Sequence, residues 1–151
     1  MTSPLHEAVT FNQLDLVKEH IKSGIYIDFG EGEHGPGTAL HRCCANINSD
    51  IRILKLLLAN GANVNATSFR GWNSLHYLCS EIQIREHFKV VFDLLIKQGV
   101  KVNHQDKQGR TALMLASADR LGRDFKAKAL IKAGANVDIG DLNGNCAIDY
   151  A

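Results

Sequence analysis

The first residues of this chain that could do chemistry form a glycine-rich stretch, GEGEHG at residues 30–35, with the spacing G-x-G-x-x-G. In dinucleotide-binding folds this pattern follows a strand, opens a helix, and precedes by about 20 residues an acidic residue that binds the ribose. Residues 25–29 could form the strand, residues 38–40 could open the helix, and Asp50 lies at the required distance. A single pattern of this kind is weak, so a nucleotide-binding enzyme domain is one hypothesis among several.

Histidine and cysteine could instead supply a metal site or a nucleophile. His6, His41 and His76 share one position of three similar segments, and Cys43 and Cys44 closely follow His41. Zinc needs four ligands that converge at about 2.0–2.3 Å, whereas two adjacent residues of a helix point about 100° apart. The chain also lacks a C-x-x-C pair and a G-x-S-x-G elbow. We therefore expect structural histidines, buried thiols outside any disulfide, and no catalytic residue, metal or cofactor.

Composition narrows the class of partner. Lysine and arginine (17) nearly balance aspartate and glutamate (16), and the net charge of +1 gives no reason to expect nucleic acid or an anionic membrane. No apolar run approaches the ~20 residues that span a bilayer, and the N-terminus does not resemble a secretion signal. These features predict an intracellular protein, in the cytoplasm, the nucleus or both.

The elements that must position these residues follow from an internal repeat. The segments SPLHEA, TALHRC, NSLHYL, TALMLA and CAIDYA align, and their anchors are Leu5, Leu40, Leu75, Leu113 and Ile148. A second apolar block follows each of the first four segments and ends at Gly24, Gly61, Gly99 or Gly134. A glycine at this point is typical of a helix C-terminus, because the residue just past the helix adopts a left-handed conformation.

On these residues the chain resembles the ankyrin-repeat family, whose motif T-P-L-H-x-A recurs about every 33 residues. The resemblance covers nearly the whole chain and implies an all-α solenoid of antiparallel helix pairs linked by β-hairpin-like finger loops. It implies one domain, 1–151, with approximate repeats 1–35, 36–70, 71–108, 109–143 and a partial repeat 144–151. The last residues either cap the fourth repeat with a short helix or belong to a longer array.

The same framework gives the glycine-rich stretch another interpretation. Residues 50–58 are apolar at helical spacing and are closely followed by Gly61, so they predict a helix and not the second strand of a dinucleotide fold. Glu31 and Glu33 would also place two negative charges beside a pyrophosphate. We expect an elongated, acidic first finger that could contact a basic partner surface.

The family resemblance implies a non-enzymatic module that binds another protein through a concave surface of finger tips and first helices. Such a module could recruit clients as an adapter, or sequester a signalling or transcription factor. It would be monomeric or partner-bound, and self-association is the alternative. The residues at the matching positions are Phe69, Arg70, Trp72, Lys107 and Arg110 on the fingers and Arg42, Tyr77 and Leu115 on the first helices, together with Glu31 and Glu33.

Two further expectations accompany this interpretation. Phe69 and Trp72 could simply pack against adjacent fingers, in which case they stabilise the fold and bind nothing. Asn65 and Asn103 match positions that an intracellular asparaginyl hydroxylase modifies in similar proteins, so both are hydroxylation candidates.

Overall fold

The computed structural model describes residues 3–30, 32, 37–46, 48–80, 85–118 and 124–151. Within these ranges the chain forms eight α-helices and one short 3-10 helix, and it forms no β-strand. The helices are α1 (Pro4–Thr10), α2 (Leu14–Lys22), α3 (Ala39–Ala45), α4 (Ile51–Ala59), α5 (Ser74–Ser80), α6 (Arg85–Lys97), α7 (Ala112–Ser117) and α8 (Phe125–Lys132), followed by the 3-10 helix Ala147–Tyr150. The predicted all-α class is confirmed.

The first helix of each pair begins at a polar residue that caps it. Thr38 precedes α3, and its backbone N–H donates to His41 Nδ1 at 3.0 Å. Thr111 precedes α7, and the Met114 N–H donates to its hydroxyl at 3.4 Å. These contacts satisfy N–H groups that have no partner inside the helix. The polar residue three positions before His41 or Met114 therefore marks where each of these helices starts.

The odd-numbered helices form an inner row in which α1 packs on α3, α3 on α5, and α5 on α7, and the 3-10 helix packs on α7. In the outer row α2 contacts α4 and α4 contacts α6. The four leucine anchors of the inner helices are at most 2% exposed: Leu5, Leu40, Leu75 and Leu113. Burial of a leucine side chain stabilises a fold by about 1.5–3 kcal/mol, so these anchors explain why neighbouring repeats stack.

A finger loop follows each second helix. Within the described residues these loops are finger 1 (residues 25–30, 32 and 37–38), finger 2 (62–73), finger 3 (100–111) and finger 4 (135–146). Finger 2 closes through a hydrogen bond from Ser68 N to Trp72 O of 2.9 Å, and finger 3 through one from Asp106 N to Arg110 O of 2.9 Å. Lys107 N donates to Arg70 O at 3.1 Å and joins the two fingers. Fingers 2 and 3 are therefore a hydrogen-bonded pair.

Gly71 shows how closely the fingers approach each other. Its φ of 77° lies in the left-handed region, and a Cβ added there would stand 2.9 Å from Lys107 N. Only glycine meets both conditions without strain. The tip of finger 2 is consequently fixed against the backbone of finger 3.

The C-terminal end of the stack differs from its interior. Ile148 aligns with the buried leucine anchors but is 78% exposed, and Leu142 of finger 4 is 77% exposed.

No helix within the described ranges is both long and apolar enough to cross a membrane.

Candidate functional site

Asp50 and the elements around it do not have the arrangement that the dinucleotide fingerprint requires. Asp50 caps α4 by accepting a hydrogen bond from Arg52 N at 2.9 Å, and it pairs with the Arg52 guanidinium at 2.7 Å. These bonds to Arg52 lower the pKa of the Asp50 carboxyl. Helix α4 follows Asp50, and helix α3 occupies the region before it where a second strand would be required. Glu31 and Glu33 lie outside the described residues.

The three repeated histidines are structural links between neighbouring repeats. The Nε2 atoms of His6, His41 and His76 lie 2.9 Å, 3.1 Å and 2.9 Å from the backbone oxygens of Gly37, Ala66 and Arg110. All three side chains are fully buried. Burial lowers the pKa of His41 and of His76 to about 4, so both rings are neutral at neutral pH. This arrangement agrees with the structural role expected from the sequence.

The cysteines lack the environment of nucleophiles or metal ligands. Cys43, Cys44 and Cys79 are at most 1% exposed, and none of the four cysteines, all of which are described, forms a disulfide. Burial raises the pKa of Cys43 and of Cys79 to about 12 and also raises the pKa of Cys44. The nucleophilic form of cysteine is the thiolate, which these sites disfavour. Among the described residues, no three histidine, cysteine or acidic side chains are grouped as metal ligands.

A groove of about 770 Å³ lies between the outer helices α6 and α8. Phe88, Phe92 and Phe125 contribute to its lining. At its edge the Lys89 ammonium pairs with Asp93 at 2.9 Å, and Lys128 pairs with Asp124. Four of the five charged residues that line the groove thus pair with each other, so they do not converge on a small-molecule site.

The finger tips bring five of the sequence-predicted residues together: Phe69, Arg70, Trp72, Lys107 and Arg110. We call these five residues the aromatic–basic patch. At its centre, the guanidinium carbons of Arg70 and Arg110 lie 5.8 Å and 5.9 Å from the centroid of the Trp72 ring. At its edge, Lys107 Nζ lies 4.1 Å from the centroid of the Phe69 ring, within the range of a cation–π interaction.

Asp106 holds the centre of the aromatic–basic patch in place. Its Oδ2 accepts hydrogen bonds from Trp72 Nε1 at 2.9 Å and from the Arg110 guanidinium at 2.8 Å and 3.0 Å. Its Oδ1 accepts from the backbone N–H groups of Gln108 and Arg110, both at 2.9 Å. Burial alone would raise the pKa of Asp106, but the hydrogen bonds from Arg110 and Gln108 outweigh it and lower the pKa. An ionised, buried carboxylate therefore orients both Trp72 and Arg110.

Sequence reasoning did not predict this role for Asp106. A signal for it exists, since D-x-x-G occurs at residues 106–109 and again at 141–144. Asp141 accepts from Asn143 N at 2.8 Å and from Asn145 N at 2.9 Å, as Asp106 does one finger earlier. A second contact that was not predicted joins His104 Nε2 to Gly71 O at 2.9 Å and ties finger 3 to finger 2.

Exposure separates the two predicted aromatic residues of finger 2. Phe69 is 52% exposed, whereas Trp72 is partly buried against its neighbours. Trp72 therefore does lie against an adjacent finger, because its indole N–H donates to Asp106 of finger 3. Phe69 presents about half of its surface to solvent beside Lys107.

Family position assigns Tyr77 to the partner-facing surface of α5, but the structure buries its side chain. Tyr77 is only 8% exposed, because its ring stacks on His41 at 4.9 Å and meets Trp72 edge-on at 5.2 Å. Tyr77 packs against Trp72 of the patch and offers little surface to a partner. Arg42 and Leu115 are half-buried on α3 and α7, and Arg42 Nη1 donates to Thr10 Oγ1 at 2.8 Å.

Asn65 and Asn103 each clamp two successive repeats. Asn65 donates to Gly99 O at 3.1 Å and accepts from Lys101 N at 2.8 Å. Asn103 forms the corresponding bonds, to Gly134 O at 3.1 Å and from Asn136 N at 2.8 Å. Both amides thus have a structural role, and hydroxylation of either residue stays a prediction.

Known proteins resemble this chain along nearly its full length. A family model described as "Ankyrin repeats (3 copies)" matches residues 5–92, and one described as "Ankyrin repeat" matches residues 108–142. The nuclear factor NF-kappa-B p105 subunit of Gallus gallus is 29% identical over 153 residues, which cover 99% of the chain and 14% of that protein.

Two enzymes are similar over the same region. The phosphocholine transferase AnkX of Legionella pneumophila is 29% identical over 90% of the chain and 15% of the enzyme. The palmitoyltransferase AKR1 of Lachancea kluyveri is 30% identical over 94% of the chain and 18% of the enzyme. The chain therefore spans less than a fifth of the length of each of these relatives, and the similarity to the enzymes lies in the repeats.

Proposed function

The chain belongs to the ankyrin-repeat family, and on this premise we propose that it is a non-enzymatic module that binds a partner protein. Ankyrin repeats indicate protein–protein interaction in general. The specific proposal is that the partner docks on the aromatic–basic patch and the neighbouring surface of the inner helices. The module would act as an adapter that recruits clients, or would sequester a signalling or transcription factor.

The aromatic–basic patch is the observation that carries this proposal. Tryptophan and arginine are enriched among the residues that dominate interface energetics, and exposed aromatic rings add large apolar area. The inter-finger bonds of His104 and Lys107 and the carboxylate of Asp106 hold the patch in one geometry. Pre-organisation of this kind lowers the entropic cost of binding.

A standard interface buries about 800 Å² per partner. We propose that Arg42 of α3 and Leu115 of α7, which are half-buried, extend the docking surface beyond the patch. Glu31 and Glu33 lie outside the described residues. We propose that they contact a basic part of the same partner.

The test compares partner capture by the wild-type chain with capture by two patch variants. The first variant is F69A/R70A, which leaves Trp72 and its bond to Asp106 in place. The second adds W72A, and circular dichroism checks that both fold. F11A is the matched control. Phe11 is an exposed phenylalanine like Phe69, at 66%, but it lies at the C-terminal end of α1 and not on a finger.

We expect the F69A/R70A variant to bind the partner about thirtyfold more weakly than the wild type, because two side chains each worth about 1 kcal/mol are removed. The F11A control should capture as much as the wild type. Undiminished capture by a folded triple variant would overturn the proposal.

Enzymatic activity is not part of the proposed function, although two similar proteins are transferases. A nucleotide that bound the folded repeats would stabilise them by mass action and raise Tm. Because we propose no such binding, we expect millimolar NAD or ATP to leave Tm unchanged. A reproducible rise of several degrees would favour the nucleotide-binding alternative.

We also propose a location in the cytoplasm, the nucleus or both. The observation behind it is similarity to the nuclear factor NF-kappa-B p105 subunit, over 99% of the chain. Fluorescence microscopy of the tagged chain in its own host cell tests this location, and accumulation in a secretory compartment would contradict it.

The C-terminal face favours self-association as a second candidate function. Ile148 and Leu142 are exposed there, whereas the corresponding anchors of the other repeats pack on a neighbour. A second copy of the chain could cover this face. Light scattering across a concentration series should then show a dimer that I148N weakens, and a monomer at all concentrations would exclude it.

A further inference from the structure

We propose that the partner segment bound by the aromatic–basic patch is acidic and carries a large apolar side chain beside its carboxylates. This inference rests on the proposed function and specifies the chemistry of the partner. The charges of the patch, the cations over its aromatic rings and the exposure of Phe69 support it.

The patch concentrates positive charge that is absent from the chain as a whole. The whole chain has a net charge of +1, but the finger tips place Arg70, Lys107 and Arg110 around two aromatic rings. Asp106 is the carboxylate bound within this group, and its side chain is 1% exposed. A partner approaching from solvent therefore meets the three cations and hardly meets the carboxylate.

Two of these cations have no carboxylate partner within the part of the chain that the structure describes. Arg110 pairs with Asp106 at 2.8 Å, whereas Arg70 and Lys107 are exposed and lie over Trp72 and Phe69. A cation on an aromatic face keeps most of its N–H donors available to a carboxylate. Arg70 can bind a carboxylate in a bidentate manner because its guanidinium is planar.

The rings of the patch argue against a nucleic acid as the ligand. Single-stranded nucleic acids bind by stacking their bases on aromatic faces along a basic groove. Here Lys107 lies over Phe69, and Arg70 and Arg110 lie over Trp72, so cations already contact these rings. The three cations of the patch also lie on only two adjacent fingers, which is short for a groove that follows a nucleic-acid backbone. A peptide segment suits this size and chemistry better.

Phe69 supplies the apolar part of the recognition. Half of its surface is exposed next to Lys107, and the ring is not needed to fill the core. A leucine, methionine or aromatic side chain of the partner would bury this surface while flanking carboxylates pair with Arg70 and Lys107. The expected motif therefore alternates acidic and large apolar residues.

A phage-displayed library of random dodecapeptides, selected on the folded chain, tests the proposal because it samples acidic, neutral and basic segments alike. Selected peptides are then measured by fluorescence anisotropy against the wild type, R70Q/K107Q and F69A. The matched control K55Q removes one positive charge from the exposed side of α4, away from the fingers. A labelled dT12 oligonucleotide is measured in parallel.

We expect enrichment of acidic peptides, a loss of about tenfold or more in affinity for R70Q/K107Q, and less than about a twofold change for K55Q. Replacement of the peptide's glutamates by glutamine should cause a similar loss, and affinity should fall as salt rises.

Three results would overturn the inference. Neutral or basic peptides that need Phe69 would refute the acidic partner but leave the proposed binding function intact. Binding of dT12 that R70Q/K107Q abolishes would replace the peptide with a nucleic acid. A library without any sequence that depends on the patch would overturn both the inference and the proposed function.

Discussion

Acidification from pH 7 to pH 5 should destabilise this protein through His41 and His76. Burial lowers the pKa of both rings from 6.5 to about 4, against the smaller opposing effect of their backbone hydrogen bonds. Between pH 6.5 and pH 4 the unfolded chain therefore binds protons at these positions while the folded chain does not. Since the unfolded state binds more protons, the free energy of unfolding rises with pH across this window and falls on acidification.

The size of the effect follows from the same pKa values. Two groups titrating at 6.5 in the unfolded state and at about 4 in the folded state lower the free energy of unfolding by about 4 kcal/mol between pH 7 and pH 5. His87 contributes in the same direction, because burial lowers its pKa too. The pKa values of Asp50 and Asp106 are lowered from 3.8, so these carboxyl groups titrate below this window.

Urea unfolding at pH 5, 6 and 7, followed by far-UV circular dichroism, measures this loss. Tryptophan fluorescence is a poorer probe, because the Trp72 ring lies 6.2 Å from the His76 ring and would respond to its protonation directly. The variants H41Q and H76Q keep a side-chain amide that can donate to a backbone oxygen but remove the titrating group. Each should reduce the loss between pH 7 and pH 5 by about half.

Two results would refute this reasoning. One is a wild-type stability that changes by less than about 1 kcal/mol between pH 7 and pH 5, because two buried histidines cannot then be neutral in the folded state. The other is a full pH dependence in a folded H41Q/H76Q double variant, which would assign the effect to other groups.

Two further predictions concern backbone and thiol chemistry. G24A should cost about 1–2 kcal/mol from left-handed strain alone, since a Cβ there meets no atom within 4 Å. G71A should cost about 1–3 kcal/mol more, because its Cβ would collide with finger 3; urea titration compares the two, and equal losses would contradict the close approach of the fingers. Iodoacetamide should alkylate native protein at Cys146, which is half-buried, before the three other thiols react. Mass spectrometry counts the adducts, and rapid appearance of two or more on folded protein would contradict the burial of Cys43, Cys44 and Cys79.

Much of the fold was predictable because each repeat encodes its own helices locally. The first segment of each repeat contains the cap and the buried anchor, and in the first three repeats also the histidine that reaches the next finger. The glycine that ends the second helix lies in the same repeat. These features act over short distances along the chain, so one sequence compared with itself was sufficient. The dinucleotide pattern was a weaker guide, because it depends on strands that residues 50–58 do not form.

The candidate site was predictable only in part. Alignment with the ankyrin-repeat motif indicated that residues of fingers 2 and 3 share a surface. The structure places Arg70, Trp72 and Arg110 together there. Position did not indicate that Tyr77 is buried, since its exposure depends on the rings of Trp72 and His41 that pack against it. Nor did it indicate which aromatic residue of finger 2 would face solvent.

The sequence by itself thus determined the repeat, its phase, its helices and its interior histidines, because short-range spacing sets capping and the buried face of a helix. The tertiary structure alone decided the geometry of the aromatic–basic patch. The indole of Trp72 finds its acceptor on Asp106, 34 residues away, and Lys107 reaches Phe69 across the gap between two fingers. Such contacts depend on how closely successive repeats stack, a distance that no local pattern in the chain specifies.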